Sequence, residues 1–141
     1  MNHQEKKRLR TKNRKSGSSY LGLPHYLINH RNFQSLSPRA TKLLIDIAAQ
    51  YRGSNNGDLC APMSLMRERG WRSSDQLFKA RKELLDRGLI VTSRQGGLNK
   101  CSLFALTWLP IDECQRKLDI SSSITPSHLW EKWSVSHDGS N

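Results

Sequence analysis

The chain has 141 residues and a mass of 16.2 kDa, enough for one compact domain of roughly 100 residues with tails, which argues against a multidomain enzyme. Lysine and arginine number 23 against 12 aspartate and glutamate residues. The resulting net charge of +11 indicates a polyanionic partner, nucleic acid before an anionic membrane surface. Only 35% of the residues are hydrophobic, so part of the chain is expected to be tail.

Cofactor, metal and membrane motifs are absent from the sequence. The cysteines Cys60, Cys101 and Cys114 lack the short spacing of a metal or redox motif, and an odd number favours a reduced, cytoplasmic protein. The five histidines do not pair with them at zinc-ligand spacing. There is no phosphate loop, nucleophile elbow or paired-carboxylate motif, and no apolar run of membrane-spanning length. We therefore predict no enzyme, no cofactor and no membrane segment.

The N-terminal arm, residues 1–19, holds more than half of the excess positive charge and is expected to be disordered in the free protein. Arms of this kind lie along phosphates or enter a minor groove. The candidate DNA contacts of the arm are Lys6, Lys7, Arg8, Arg10, Lys12, Arg14 and Lys15. The alternative is a solubilising tail that makes no specific contact.

The next segment predicts a short lead-in and a first long helix. Apolar residues around Pro24 indicate one helical turn over 24–29. Ser37-Pro38 has the N-cap and first-turn proline of a helix, and apolar residues then recur at helical spacing as far as Tyr51. The helix is predicted to be amphipathic and to end near Arg52-Gly53.

Two further helices follow a very short strand. The turn cluster over 54–58 precedes a strand at 59–61, and a second helix is predicted from Pro62 to Arg69, before Gly70. Ser73 and Gln76 have the spacing of a capping box, which predicts a third helix ending at Gly88. The predicted inner face of the third helix is Leu77, Ala80 or Arg81, Leu84 and Leu85.

The C-terminal part of the core predicts a β-hairpin. Residues 89–93 and 101–108 have strand composition and flank the turn residues 95–99. We take 20–110 as the folded domain and 111–141 as a polar tail. Its two tryptophans, Trp130 and Trp133, could pack back onto the domain.

This order of elements, with the segment Pro62 to Ile90, resembles the winged helix-turn-helix family over roughly residues 37–108. The segments 51–59 and 92–97 also look like small winged-helix proteins carried by phages, plasmids and integrated elements. The resemblance implies an α+β fold of three helices and a two- to three-stranded wing. It further implies a third helix in the major groove of double-stranded DNA and a hairpin tip, the wing, on the backbone or minor groove.

The exposed start of the third helix and the hairpin tip carry the candidate DNA contacts, because their side chains suit groove edges and phosphates. On the helix the candidates are Arg72, Ser73, Ser74, Gln76 and Lys79. On the wing they are Arg94, Gln95, Asn99 and Lys100, beside a Gly96-Gly97 turn that would allow close approach to a phosphate.

Structural roles remain open as alternatives for these residues. Ser73 and Gln76 would then only cap the helix, and Gly96-Gly97 would only form a hairpin turn. Trp71 is expected to pack beneath the turn before the third helix. Lys82 and Arg87 are expected to form surface pairs with Glu83 and Asp86.

The expected function is sequence-specific DNA binding, as a transcription regulator or a replication-initiation factor of a mobile element in the bacterial cytoplasm or nucleoid. The alternative is an interaction module that docks on a host protein or on RNA. A homodimer is also possible, through the late tryptophans or the first helix, and would imply paired half-sites about one helical turn apart.

Overall fold

A computed structural model describes residues 19–134 as a mixed α+β structure, with five α-helices and one three-stranded antiparallel sheet in this range. The helices are α1 His25–Ile28, α2 Arg31–Gln34, α3 Pro38–Ala48, α4 Met63–Arg67 and α5 Ser74–Asp86. The strands are β1 Leu59–Cys60, β2 Ile90–Arg94 and β3 Leu103–Leu106, and single 3₁₀ turns follow at Cys114–Arg116 and Leu129–Lys132. None of the described helices has the length and apolar character needed to span a membrane. The predicted contacts of the arm lie outside the described residues.

The first long helix, α3, begins where the sequence predicts. The Ser37 hydroxyl accepts the backbone N–H of Ala40 at 3.1 Å, which satisfies one of the free donors of the first turn. The helix ends at Ala48, before the predicted end near Arg52. Beyond it the chain continues in turns, and the Gln50 side chain bonds both backbone groups of Cys60, at 3.0 Å to the N–H and 2.7 Å to the carbonyl.

The sheet has the order β1–β3–β2, so β3 is central. The second strand of the predicted hairpin is shorter than 101–108, because residues 97–100 close a tight loop and the strand begins only at Leu103. Buried Asn56 fixes the approach to β1: its side chain accepts the Leu106 N–H at 2.7 Å and donates to the Leu106 and Pro110 carbonyls. The loop before β1 is therefore bonded to the far end of β3.

Helix α4 is shorter than predicted, and the capping box of α5 is half formed. Pro62 lies at the N-cap of α4 rather than inside it, and Gly70 adopts a φ of +95° in the turn that follows. Ser73 accepts the Gln76 N–H at 3.2 Å, as predicted, but the Gln76 side chain bonds Arg39 instead of returning to Ser73. The buried face of α5 consists of Leu77, Ala80 and Leu84, which decides for Ala80 over Arg81.

A buried carboxylate connects α3 to the turn between α4 and α5. Asp46 accepts hydrogen bonds from Lys42 Nζ at 2.8 Å, Arg69 Nε at 2.7 Å and Trp71 Nε1 at 2.8 Å. Burial raises the pKa of this carboxyl, but the three donors outweigh burial and hold the pKa below its usual value. The expectation that Trp71 packs beneath the turn is confirmed, since its indole is buried against this carboxylate.

The far end of α5 is held by the N-terminal lead-in and by Trp130. The buried Asn32 amide of α2 donates to the carbonyls of Arg87, at 2.9 Å, and Trp130, at 2.8 Å. Trp130 is buried, and the Tyr26 ring stacks on it. Residues after Pro110 thus contribute to the core that the helices form.

One predicted ion pair is present and one is wrong. Lys82 pairs with Asp86 at 2.8 Å. Arg87 instead donates to the Asn32 carbonyl and the Ser35 hydroxyl, and its guanidinium lies 4.2 Å from the centre of the Trp133 ring. Its expected partner Glu83 is turned away from it, because that carboxylate accepts the N–H and hydroxyl of Ser37.

We expect Asp46→Asn to lower the free energy of unfolding by about 3 kcal/mol at pH 7, because it leaves Arg69 and Lys42 without their shared carboxylate. The matched control is Asp86→Asn. Asp86 also pairs with a lysine four residues earlier, but its side chain is 62% exposed, whereas that of Asp46 is 5% exposed. That change should cost less than about 0.5 kcal/mol. Urea unfolding measures both.

The Asp46 effect should also depend on pH. Its pKa is lowered by folding, so the carboxylate stabilises the folded state above the unfolded pKa of about 3.9 and loses this effect as the pH falls through the folded value. The difference between wild type and Asp46→Asn should be largest above about pH 5 and should shrink below pH 4. Equal losses in the two variants, or a difference unchanged down to pH 3, would contradict this role.

Candidate nucleic-acid interface

The exposed side of α5 lies between two grooves. The first, which we call the α3 groove, has a volume of about 370 Å³ and lies between the start of α5 and the start of α3. The second, the hairpin groove, has about 390 Å³ and lies between the Arg81 and Leu85 side of α5 and the β2–β3 hairpin. Helix α5 therefore stands as a ridge with a helix on one side and a hairpin on the other.

The α3 groove brings together three of the predicted helix residues. Arg72, Ser73 and Gln76 line it, along with the rim of Trp71. Arg72 is exposed and has no ion pair among the described residues. Ser73 is committed to capping, and the Gln76 Oε1 accepts from Arg39 Nη1 at 2.9 Å, which leaves the Gln76 amide donors free.

The other two predicted helix residues lie outside this groove. Ser74 is exposed at the first position of α5. Lys79 forms an exposed pair with Asp75 at 3.0 Å and lines a separate depression of about 350 Å³ beside Arg39 and Lys82. Lysine–aspartate pairs on an exposed helix contribute little to stability. Lys79 can therefore exchange Asp75 for another anion at a low cost in free energy.

Sequence reasoning missed three basic side chains of this face. Arg39 and Lys42, on the first turns of α3, line the same groove as Arg72. Arg69 reaches the same region through its bond to Asp46, and its backbone carbonyl accepts from Lys42 Nζ at 2.7 Å. The spacing of Arg39 and Lys42 marks them as one face of a helix, but only the packing of α3 against α5 places that face beside Arg72.

These cations are held in place rather than free. Asp46 fixes Lys42 and Arg69, and Gln76 fixes Arg39. Yet Lys42 and Arg69 remain about half exposed, so one buried carboxylate is shared by two cations that still face solvent. Arg39, Lys42 and Arg72 line the groove, and Arg69 lies beside it through its bond to Asp46, so the groove is positively charged and suited to an anion.

The four predicted wing residues differ in their exposure and in their hydrogen bonds. Arg94 folds back, and its Nη2 donates to the Cys101 carbonyl at 2.9 Å. The Gln95 side chain is exposed, while its N–H donates to the Asp119 carboxylate at 2.8 Å. Asn99 has a φ of +58° at the tip of the loop, and Lys100 is exposed without an ion pair among the described residues. Lys100 is thus the most available cation of the hairpin.

The two glycines of the hairpin turn differ. A Cβ on Gly96 would lie 2.6 Å from the Ser102 nitrogen and 2.7 Å from the Lys100 carbonyl oxygen, so the fold itself requires glycine there. A Cβ on Gly97 would meet nothing within 4 Å. The alternative that these glycines only form a hairpin turn therefore explains Gly96 and leaves Gly97 unexplained.

The three cysteines are free thiols. Burial, followed by the neighbouring Cys101, raises the pKa of Cys60 to about 11, so that thiol is neutral at pH 7. Burial also raises the pKa of Cys114. Among the described residues no group of three or more His, Cys, Asp or Glu side chains is arranged to hold a metal ion.

Comparisons of the chain with protein-family profiles, with curated proteins and with solved structures give no significant match.

Alanine substitution should separate the two glycines. Gly96→Ala should lower stability by about 1 to 3 kcal/mol, because backbone atoms on both sides of the loop would have to move. Gly97→Ala should leave stability within about 0.5 kcal/mol of wild type or raise it slightly. Thermal unfolding and amide hydrogen exchange of the hairpin measure this difference. Similar losses at both positions would show that the loop is packed differently.

Proposed function

We propose that the protein is a winged helix DNA-binding protein that reads duplex sequence with α5 and acts as a transcription regulator or replication-initiation factor of a mobile element. The observation that carries the proposal is the exposed side of α5, which has a basic groove beside its start and a basic-tipped hairpin beside its second half. The order α3, β1, α4, α5, β2, β3 supports it, because the family resemblance rests on that order. The mixed α+β architecture is compatible with it.

Under this proposal the α3 groove binds phosphates. Arg39, Lys42 and Arg72 place guanidinium and ammonium groups on one concave surface, with Arg69 beside it, and such groups supply many of the contacts that position a protein on a duplex. Arg39, Lys42 and Arg69 are already bonded to Gln76 or Asp46, so these three side chains would lose little freedom on binding. The groove would thus set the register of α5 on the DNA.

Bases would be read by the ridge of α5. The Arg72 guanidinium is free to pair with the O6 and N7 acceptors of guanine, and the Gln76 amide keeps both donors for a base edge. Ser74 and Lys79 add an exposed hydroxyl and an ammonium on the same helix. Ser73 contributes by holding the helix start, since its hydroxyl accepts the Gln76 N–H, and not by contacting DNA.

The hairpin and the arm would add contacts that do not depend on sequence. Lys100 and Asn99 lie at the exposed loop, whereas Arg94 and Gln95 are partly engaged within the protein. The arm residues Lys6 to Lys15 would bind phosphates along the duplex, as the least specific and most dispensable contacts.

The decisive test combines selection of duplexes from a random pool with charge reversal. The double variant Arg72→Glu/Lys79→Glu should weaken binding to a selected duplex by at least about 100-fold. The matched control, Arg52→Glu/Arg116→Glu, makes the same change in net charge at two exposed residues outside both grooves and should weaken binding far less. Fluorescence anisotropy at several salt concentrations measures both.

Two results would contradict the proposal. One is a selected pool with no common sequence, which would reduce the function to general phosphate binding. The other is equal weakening in the two double variants, which would place the contact elsewhere. Tight binding of structured RNA or of a protein, without duplex binding, would favour the interaction-module alternative.

Lys100→Ala should weaken binding to all duplexes by a similar factor and reduce the slope of log K against log salt concentration by about 1. The reason is that a loop lysine meets a phosphate and not a base edge. A titration of selected and scrambled duplexes between low and moderate salt measures both quantities. A loss confined to the selected sequence would instead make Lys100 a base contact.

A further inference from the structure

The outer face of α5 carries one large apolar side chain that the core does not use. Phe78 is 53% exposed and does not belong to the hydrophobic side chains that pack on the core. It occurs one turn after Ser74 and one turn before Arg81 and Lys82, so its neighbours along the helix surface are all polar. A phenylalanine at this place leaves apolar area in water that a serine or lysine would not.

The ring is held by a cation. The Arg81 guanidinium lies 5.7 Å from the centre of the Phe78 ring, and Arg81 has no ion pair among the described residues. Arg81 also lines the hairpin groove, so the ring stands at the edge of that groove on the side of α5 proposed to face DNA. An exposed contact of this kind is weak, and about half of the side chain still faces solvent.

We propose that Phe78 contacts the 5-methyl group of a thymine in the major groove and so determines sequence at that position; this inference rests on the function proposed above. The thymine methyl is the one apolar group on the major-groove edges of base pairs, and phenylalanine is among the side chains that contact it. Arg81 holds the ring and meets the adjacent phosphate. A protein partner would be expected to need a wider apolar patch than one ring surrounded by serine, aspartate, arginine and lysine.

The test is replacement of each thymine of a selected duplex by uracil, one at a time. Uracil keeps the pairing and the hydrogen-bonding edge and removes only the methyl group. For each protein molecule bound, one thymine position should be sensitive. With uracil at that position, wild-type protein should bind the duplex about fourfold more weakly, the effect of one buried methyl group. With Phe78→Ala the ratio of thymine to uracil affinity at that position should fall to 1.

Leu98→Ala is the matched control, because Leu98 is an equally apolar side chain, 94% exposed, on the hairpin loop. It should leave the thymine-to-uracil ratio unchanged. Circular dichroism and the melting temperature check that Phe78→Ala is folded, as its exposure leads us to expect.

The outcomes separate this inference from the function on which it rests. Wild-type protein that selects a duplex sequence but shows no thymine-to-uracil effect overturns the role of Phe78 and leaves the proposed function standing. A thymine-to-uracil effect that persists in Phe78→Ala also overturns it, because another residue then reads the methyl group. Wild-type protein that binds no duplex overturns both.

Discussion

The position of α5 depends on the Asp46 carboxylate. It accepts one donor from its own helix and two from the turn that leads into α5, so it fixes the distance between α3 and the start of α5. Its burial is tolerated because every donor is charged or strongly polar. The same bonds orient Lys42 and Arg69 towards the groove. Stability and the shape of the proposed phosphate site are therefore set by a single group.

The segment after β3 supports the same arrangement from the other side. The Asp119 N–H donates to the Ser93 carbonyl on the edge strand β2, and the Asp119 carboxylate accepts from Gln95 at the base of the hairpin. The contact pairs a backbone group on the open edge of β2 and holds the base of the hairpin in place. Trp130 and Asn32 fix the opposite end of α5. The surface between the two anchors is thus preorganised, which lowers the entropic cost of binding.

Local signals in the sequence predicted the helix starts and missed the contacts between elements. Ser37 and Ser73 cap their helices because an N-cap acts within three residues of itself. The four-residue helix α2 has no period to detect, and its cap is the His30 ring, which is not a usual N-cap side chain. Arg39 and Arg87 were unassigned or misassigned because their partners, Gln76 and Asn32, lie 37 and 55 residues away in the chain.

The pairing of charges on α5 decides which cations remain available for the proposed DNA contact. Lys79 and Lys82 each have an aspartate one turn away, and Glu83 is bonded to Ser37. Arg72 and Arg81 have no such partner among the described residues. Within α5 the three cations are thus matched by three carboxylates, and Arg72, just before the helix, adds one unmatched positive charge. Since arginine forms planar, bidentate contacts and lysine does not, this distribution fits the proposed reading of guanine by Arg72, while Arg81 would meet the phosphate beside Phe78.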